Sequence, residues 1–303
     1  MLIWLASYPR SGNTFTRTVL NQVFGIKTYN FLHPSIRKKR KQMIEKNHKE
    51  GIRHTYSKTT GAVTFENEEE FFKNAHSSNE LYIVKTHKTP PDDSPAIYII
   101  RNGIHALISY YFFKRDTSFS GYKNIIDLII GNDGYVNWSE HIKSWSAHTN
   151  ARPNTLYIRY EDLLNNSDTV IKELEQFFLK FDDGISIQNT WKNPFDTLQK
   201  ENPKIFRKGK SKKDSCPEFN ELEETLFYVK HGEMMGTLGY ENKQVKDNEF
   251  AFMQNVIKLG DEMLHWKKRA SKGQSMIQKL KNAGESGKLF DINFIISKLK
   301  GRK

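Results

Sequence analysis

Four short and almost uninterrupted apolar runs constrain the fold of this chain more than any other feature. They are rich in Val, Ile, Leu or Tyr and cover residues 2–6, 81–85, 96–101 and 155–160. Runs of this length without polar alternation indicate strands that are buried on both faces. Helical patterns lie between them, so we expect right-handed crossovers and a parallel sheet covered by helices. Ligands of such sheets bind beyond the carboxyl ends of the strands, which is where functional residues are expected.

Two of the helical patterns carry predicted start signals. An apolar face from Val170 to Phe178 follows Ser167, which we expect to be the N-cap. Asn220 and Glu223 have the spacing of a capping box ahead of another apolar face. A third pattern, with Phe15 on its apolar face, directly follows the first predicted strand.

Size and composition exclude several classes of protein. The 303 residues, of which 37% are hydrophobic and 27% charged, suit a folded globule and exclude disorder as the main state. No apolar run approaches the roughly 18 residues that span a bilayer, so an integral membrane protein is not expected. The single cysteine, Cys216, cannot form an intrachain disulfide, and the first residues are a poor secretory signal. These features predict a cytoplasmic protein.

The positive charge is concentrated toward the end of the chain. The net charge is +12, and residues 245–303 carry thirteen basic and six acidic side chains. We therefore predict a folded domain over 1–244 and a basic helical extension over 245–303. Peripheral contact of the extension with an anionic membrane is one interpretation, and docking against the core or a partner subunit is the favoured one. A second basic cluster, at residues 37–41, is interpreted as a solvated helix face.

The segment after the first predicted strand has the composition of an anion site. It reads Ser7-Tyr8-Pro9-Arg10-Ser11-Gly12-Asn13-Thr14-Phe15 and runs directly into a helix. The N-terminus of a helix presents N–H groups and a positive dipole end to anions. Gly12 permits close backbone approach, Ser11 and Thr14 supply hydroxyls, and Arg10 supplies a guanidinium suited to phosphate or sulfate. The segment is not a Walker A loop, because the second glycine and the lysine are missing.

A second anion-binding pattern follows the predicted strand 96–101. That strand ends in Arg101, and Ser109 lies two turns into the helix that follows. A nucleoside triphosphatase more typically has a magnesium-binding aspartate near the end of a core strand. Further motifs follow in order: Lys85-Thr86-His87, then Tyr160-Glu161-Asp162-Leu163, then Phe206-Arg207-Lys208-Gly209.

Together these motifs make residues 1–240 resemble the sulfotransferase family that uses 3'-phosphoadenosine 5'-phosphosulfate (PAPS) and releases 3'-phosphoadenosine 5'-phosphate (PAP). The resemblance implies a P-loop NTPase-like, three-layer α/β fold with a central parallel β-sheet flanked by helices. It implies nucleotide contacts from both strand-end motifs and from the Arg207-Lys208-Gly209 motif. The implied 5'-phosphosulfate contacts are Arg10, Ser11, Gly12, Asn13, Thr14 and Phe15. The implied 3'-phosphate contacts are Arg101, Ser109, Arg207, Lys208 and Gly209, and Tyr160 and Phe195 are expected near the adenine.

The resemblance also implies the catalytic groups. His87 is expected to be the general base, Lys85 to stabilise the transferring sulfuryl group, and Arg10 the bridging oxygen. No metal is required. Arg10 stands where the family usually has lysine, and a guanidinium does not give up its proton, so it is expected to act through charge.

The sequence narrows the acceptor only to a hydroxyl of a carbohydrate, lipid or small molecule. Several aromatic side chains could line its pocket, although helix packing is the favoured interpretation for most: Tyr110, Tyr111, Phe112, Phe113, Tyr135, Trp138 and Trp145. The alternatives are a P-loop-type nucleotide or small-molecule kinase, and a non-catalytic basic protein that coats nucleic acid or membrane. Nucleic acid is not the expected partner, and the oligomeric state stays open.

Overall fold

A computed structural model of the protein describes residues 1–31, 58–65, 67–116, 124–146, 154–201, 216–255, 257, 258 and 262. The chain divides into two compact units, Met1–Val245 and Lys246–Lys303. In the second unit, residues 247–255 are helical. The predictions for Arg207, Lys208 and Gly209, for the cluster 37–41 and for most of the basic extension lie outside the described residues.

The first unit is built on one sheet of six parallel strands. In spatial order the sheet is β3-β2-β4-β1-β5-β6, with β1 paired to both β4 and β5. The strands are β1 (Leu2–Ser7), β2 (Thr28–Phe31), β3 (Ala62–Phe65), β4 (Tyr82–Thr86), β5 (Ala96–Ile100) and β6 (Thr155–Arg159). All five neighbouring pairs are parallel, so the carboxyl ends of all six strands lie on one side of the sheet.

In the first unit, nine helices that the structure describes from end to end accompany the sheet. They are α1 (Asn13–Phe24), α2 (Glu68–Ser77), α3 (Gly103–Asp116), α4 (Ile125–Ile130), α5 (Trp138–Ser146), α6 (Tyr160–Asn165), α7 (Ser167–Phe178), α8 (Phe195–Glu201) and α9 (Glu221–Thr237). Among the described helices, none combines the length and the apolar character needed to cross a lipid bilayer.

Helices cover both faces of the sheet. Because side chains alternate along a strand, β5 directs Ile97 and Ile99 to one face and Tyr98 to the other. Ile97 and Ile99 belong to a core cluster that includes residues of α1 and α7. Tyr98 stacks on Trp145 of α5 at 5.7 Å between ring centroids. The predicted three-layer α/β fold with a central parallel sheet is therefore confirmed.

The four predicted strands correspond to β1, β4, β5 and β6, while β2 and β3 were not predicted. The capping box of Asn220 and Glu223 is present at the start of α9. The prediction of Ser167 as an N-cap was wrong, because Asn166 occupies that position and Ser167 is already helical. Asn166 donates its main-chain N–H to the Asp162 carbonyl oxygen at 2.7 Å, so it ends α6 and begins α7.

Candidate active site

The loop that joins β1 to α1 has a backbone shape that depends on glycine. Gly12 has φ 108° and lies at the N-cap of α1, and Arg10 has φ 66°. The Ser11 N–H donates to the Tyr8 carbonyl oxygen at 3.2 Å, which closes the turn. The first turn of α1 contains no acidic residue, so nothing in it offsets the positive end of the helix dipole.

Tyr160 requires glycine at position 12. It is the first residue of α6, directly after β6, and its ring packs against the Gly12 backbone. A Cβ atom at position 12 would overlap the Cδ2 atom of Tyr160. The ring also meets Phe15 edge to face, at 6.1 Å between centroids. Tyr160 therefore supports the β1–α1 loop by packing against Gly12 and Phe15.

Two polar atoms where the loop meets α1 are buried without a hydrogen-bond partner among the described residues, namely Ser11 Oγ and Asn13 Oδ1. The Asn13 Nδ2 group donates to the Leu5 carbonyl oxygen at 3.1 Å and so ties α1 to β1. A buried hydroxyl usually has a partner, since leaving it unpaired costs about 1–3 kcal/mol. Ser11 and the first turn of α1 therefore have the chemistry of an anion site.

Arg101 lies at the carboxyl end of β5, next to this loop. One of its guanidinium nitrogens donates to the Arg10 carbonyl oxygen at 2.8 Å, and the group lies 4.6 Å from the Tyr160 ring centroid. The Trp138 Nε1–H in turn donates to the Arg101 carbonyl oxygen at 3.2 Å. Arg101 is only 6% exposed, and this burial lowers the pKa of its guanidinium. An anion placed there would offset the cost of burying this charge.

Ser109 brings α3 into the same group. The Arg10 Nε–H donates to Ser109 Oγ at 3.3 Å, and the Arg10 guanidinium lies 5.0 Å from the Phe113 ring centroid. The structure therefore gathers Arg10, Arg101 and Ser109, which come from two different strand-to-helix junctions. A site that combines two cations with a hydroxyl suits a ligand with more than one anionic group.

His87 follows β4 and is fixed by β1. Its Nδ1 atom lies 2.7 Å from the Ser7 carbonyl oxygen and 3.3 Å from Ser7 Oγ. A carbonyl oxygen only accepts hydrogen bonds, so Nδ1 carries the proton and the neutral ring has its lone pair on Nε2. Burial lowers the pKa of His87 well below 6.5, and the nearby charges of Lys85 and Arg10 lower it further. The His87 imidazole is therefore neutral at physiological pH.

Lys85 lies on β4, two residues before His87. It is half-buried and lies opposite Leu5 of β1 in the parallel register. Its charge is the second largest cause, after burial, of the lowered pKa of His87. The structure thus brings a cation and a neutral imidazole together at the carboxyl end of the central strands.

The segment between α4 and α5 also contacts His87, through Tyr135. The Tyr135 ring meets the His87 ring edge to face at 6.4 Å. Asp133, two residues earlier, forms an ion pair with Lys114 at 2.9 Å and is almost fully buried. Trp138 and Trp145 are completely buried, which agrees with the helix-packing interpretation for these two side chains.

Some residues of this region were not identified from the sequence. Trp191 packs against Phe15 at 5.3 Å between ring centroids, whereas Phe195, predicted near the adenine, begins α8. His141 of α5 contacts the main chain of His87. No local pattern marks Trp191 or His141, because both contacts join segments far apart in the sequence.

The described residues contain no metal-binding group, and a cavity among them lies away from the candidate site. No three His, Cys, Asp or Glu side chains among them are grouped so as to hold a metal ion. A cavity of about 460 Å³ near Met1, Leu81 and Phe181 lies at the amino ends of β1 and β4, on the opposite side of the sheet.

Comparisons with known proteins agree on one family. The family model described as the sulfotransferase domain matches residues 2–226. Sulfotransferase 1B1 of Mus musculus is 30% identical over 137 residues, which are 41% of this chain and 45% of that protein. Sulfotransferase 2A6 of Mus musculus is 36% identical over 91 residues, 28% of this chain and 31% of that protein. The match therefore spans less than half the length of these relatives.

Among solved structures, the crystal structure of mouse sulfotransferase SULT7A1 complexed with PAP has a TM-score of 0.49 and 18% sequence identity. The superposition covers 78% of this chain and 88% of that chain.

Proposed function

Because this chain belongs to the sulfotransferase domain family, we propose that it transfers a sulfuryl group from PAPS to the hydroxyl of an acceptor, with His87 as general base. The observation that carries the proposal is the His87 ring, whose Nδ1–H is held by the Ser7 carbonyl oxygen. This contact leaves Nε2 as a proton acceptor beside the β1–α1 loop. A base within reach of the acceptor hydroxyl is the first requirement of this reaction.

The residues present fit a nucleotide with anionic groups at two positions. For the 5'-phosphosulfate, support comes from the tight turn at Gly12, the buried Ser11 hydroxyl and the N-terminus of α1. For the 3'-phosphate, support comes from the buried guanidinium of Arg101 and from Ser109. Phe15 and Trp191, which are in contact, are candidates for the adenine side.

In the proposed reaction, the acceptor oxygen attacks sulfur and an oxygen–sulfur bond forms. The bond between sulfur and the bridging oxygen of PAPS breaks, and its electron pair stays on that oxygen. The acceptor proton passes to His87 Nε2. The products are a sulfate ester and PAP.

The charges around His87 suit this sequence of events. Besides burial, the charges of Lys85 and Arg10 lower the pKa of the His87 imidazole, and a polyanionic nucleotide would offset both charges. The pKa of His87 is then expected to rise toward physiological pH, where general bases are most efficient. Lys85 would stabilise the charge on the transferring group and Arg10 the charge on the bridging oxygen. Arg10 would act by charge alone, since a guanidinium retains its proton.

The acceptor is proposed to be a hydroxyl of a carbohydrate, lipid or small molecule that enters beside Tyr135. The position of this ring next to His87 supports an acceptor with a flat or apolar surface at the reacting hydroxyl.

A substitution at His87 tests the proposal. Transfer of radiolabelled sulfuryl from PAPS to a panel of hydroxyl compounds should fall by about 100-fold or more in His87→Gln. Its affinity for PAP should stay within about twofold, because the base contacts the acceptor. His76→Gln is the matched control, since His76 is exposed on α2. Turnover of His87→Gln equal to that of the control would refute the role of His87.

A further inference from the structure

His141 contacts the candidate base through the main chain. Its Nε2 atom lies 3.1 Å from the His87 carbonyl oxygen, and its Nδ1 atom lies 2.8 Å from the hydroxyl oxygen of Tyr98. Because a carbonyl oxygen only accepts, Nε2 must carry the proton, and Nδ1 then accepts from the Tyr98 hydroxyl. His141 is completely buried, so these two contacts fix one tautomer and one ring orientation.

A second side chain of α5 holds the next residue of the same segment. The Trp145 Nε1–H donates to the Lys88 carbonyl oxygen at 3.0 Å. His141 and Trp145 are four residues apart and therefore lie on the same face of α5. Two consecutive carbonyl groups after β4 are thus held by one helix.

The helix that holds this segment is itself fixed to the sheet. The Tyr98 ring of β5 stacks on His141 at 5.7 Å and 24°, and on Trp145 at 5.7 Å and 23°. The Tyr157 hydroxyl of β6 donates to the Trp145 carbonyl oxygen at 2.8 Å. Tyr8 also meets the His141 ring edge to face, at 5.9 Å between ring centroids.

We infer that His141 is a positioning residue for the His87 base. This inference rests on the proposed function of His87. His141 holds the His87 carbonyl oxygen, while the Ser7 carbonyl oxygen holds Nδ1 of the ring. With both ends of the residue fixed, Nε2 has a single direction in which to accept the acceptor proton. A displacement of about 1 Å at such a group costs on the order of 100-fold in rate.

The charges that face these two histidines define the expected pH response. His87 faces Lys85 of β4, Arg10 of the β1–α1 loop, His141 of α5 and Tyr135. Burial is the largest cause of its lowered pKa, so a looser segment that admits water should raise that pKa toward 6.5. His141 faces Tyr98 and Tyr8, and burial lowers its pKa to about 4. It therefore remains a neutral Nε2–H donor at physiological pH.

The test compares His141→Phe, which removes both nitrogens, with His141→Gln, whose side-chain amide can still donate to the His87 carbonyl oxygen. We expect kcat to fall by about 10- to 100-fold in His141→Phe, with KM for PAPS within about twofold. The acid limb of the kcat profile should move to higher pH. His141→Gln should recover most of the lost kcat. Tyr98→Phe, a milder change, should shift the profile in the same direction.

A readout independent of activity is the NMR titration of histidine-labelled protein. The chain has ten histidines, and the His87 signal is identified by its loss in His87→Gln. We expect the pKa of His87 to be higher in His141→Phe than in the wild type. His231→Gln is the control for general destabilisation, because His231 is equally buried but contacts Ser139 and Ile129.

The outcomes separate the two ideas. If His87→Gln is inactive while His141→Phe keeps the wild-type kcat and the wild-type pKa of His87, the positioning role is refuted and the proposed function stands. If His141→Phe loses kcat only as much as His231→Gln, with the pKa of His87 unchanged, the role of His141 is structural only. If the turnover of His87→Gln equals that of His76→Gln, the proposed role of His87 fails and the inference about His141 fails with it.

Discussion

Gly12→Ala is expected to destabilise the protein through two separate effects. The first is backbone strain, because Gly12 has φ 108°, which costs a residue with a Cβ about 1–3 kcal/mol. The second is overlap of the new Cβ with the buried ring of Tyr160, for which overpacking typically costs about 1–3 kcal/mol. The free energy of unfolding should therefore fall by roughly 2–6 kcal/mol.

A second glycine of the chain provides the matched control. Gly134 has φ 102°, but a Cβ there would have no atom within 4 Å. Gly134→Ala should therefore lower the free energy of unfolding only by the cost of backbone strain, about 1–3 kcal/mol. Urea unfolding of both variants, followed by circular dichroism, measures the difference. The excess cost of Gly12→Ala should also disappear when Tyr160 is replaced by Ala, as a double-mutant cycle would show.

Equal urea midpoints for Gly12→Ala and Gly134→Ala would refute this reasoning, because the contact with Tyr160 would then carry no energy. The same result would remove the structural basis for interpreting Tyr160 as the support of the β1–α1 loop.

Two further predictions concern buried ionisable side chains. Burial lowers the pKa of His231 to about 3 and that of His141 to about 4, while an unfolded histidine titrates near 6.5. The unfolded chain therefore binds more protons below pH 6.5, and stability present above that pH should fall by about 1.4 kcal/mol per pH unit per histidine. Urea unfolding between pH 7 and pH 5 measures this slope, and an unchanged slope in His231→Gln would contradict it. Lys114→Met should cost about 3 kcal/mol, because the Asp133 side chain is 1% exposed and loses its ion pair. The double variant with Asp133→Asn should recover much of this loss in the same assay, and a fully stable single variant would contradict the importance of the pair.

The central strands were predictable because their physical signal is local. β1 and β5 are buried at every position, which gives an apolar run without alternation. β2 and β3 have four residues each and are mostly half-buried or exposed. Their sequences therefore show neither a continuous apolar run nor a regular alternation that would identify them as strands. The capping box was likewise predictable, because Asn220 and its partner Glu223 are only three residues apart. The error at Ser167 arose because two helices meet at Asn166 without a loop.

Residues of the candidate site were predictable where their motifs follow the ends of strands. They were not predictable where the contact joins segments far apart in the sequence. Arg10, His87 and Arg101 each follow a buried strand, so a parallel sheet brings them to one side. The bond between Arg10 and Ser109 joins residues 99 positions apart, and His141 is 54 positions from His87. Several expectations stay predictions. They are the roles of all these side chains, the boundary at residues 244 and 245, the cytoplasmic location, and membrane contact by the basic extension.

Isothermal titration calorimetry with PAP and AMP, which differ by the 3'-phosphate, tests the central claim most directly. If Arg101 and Ser109 bind that phosphate, two charge-assisted hydrogen bonds of about 1.5 kcal/mol each predict that PAP binds on the order of 100-fold more tightly. Arg101→Met should remove most of this preference without changing the affinity for AMP by more than about threefold. Equal affinities of the wild-type protein for PAP and AMP would contradict the account.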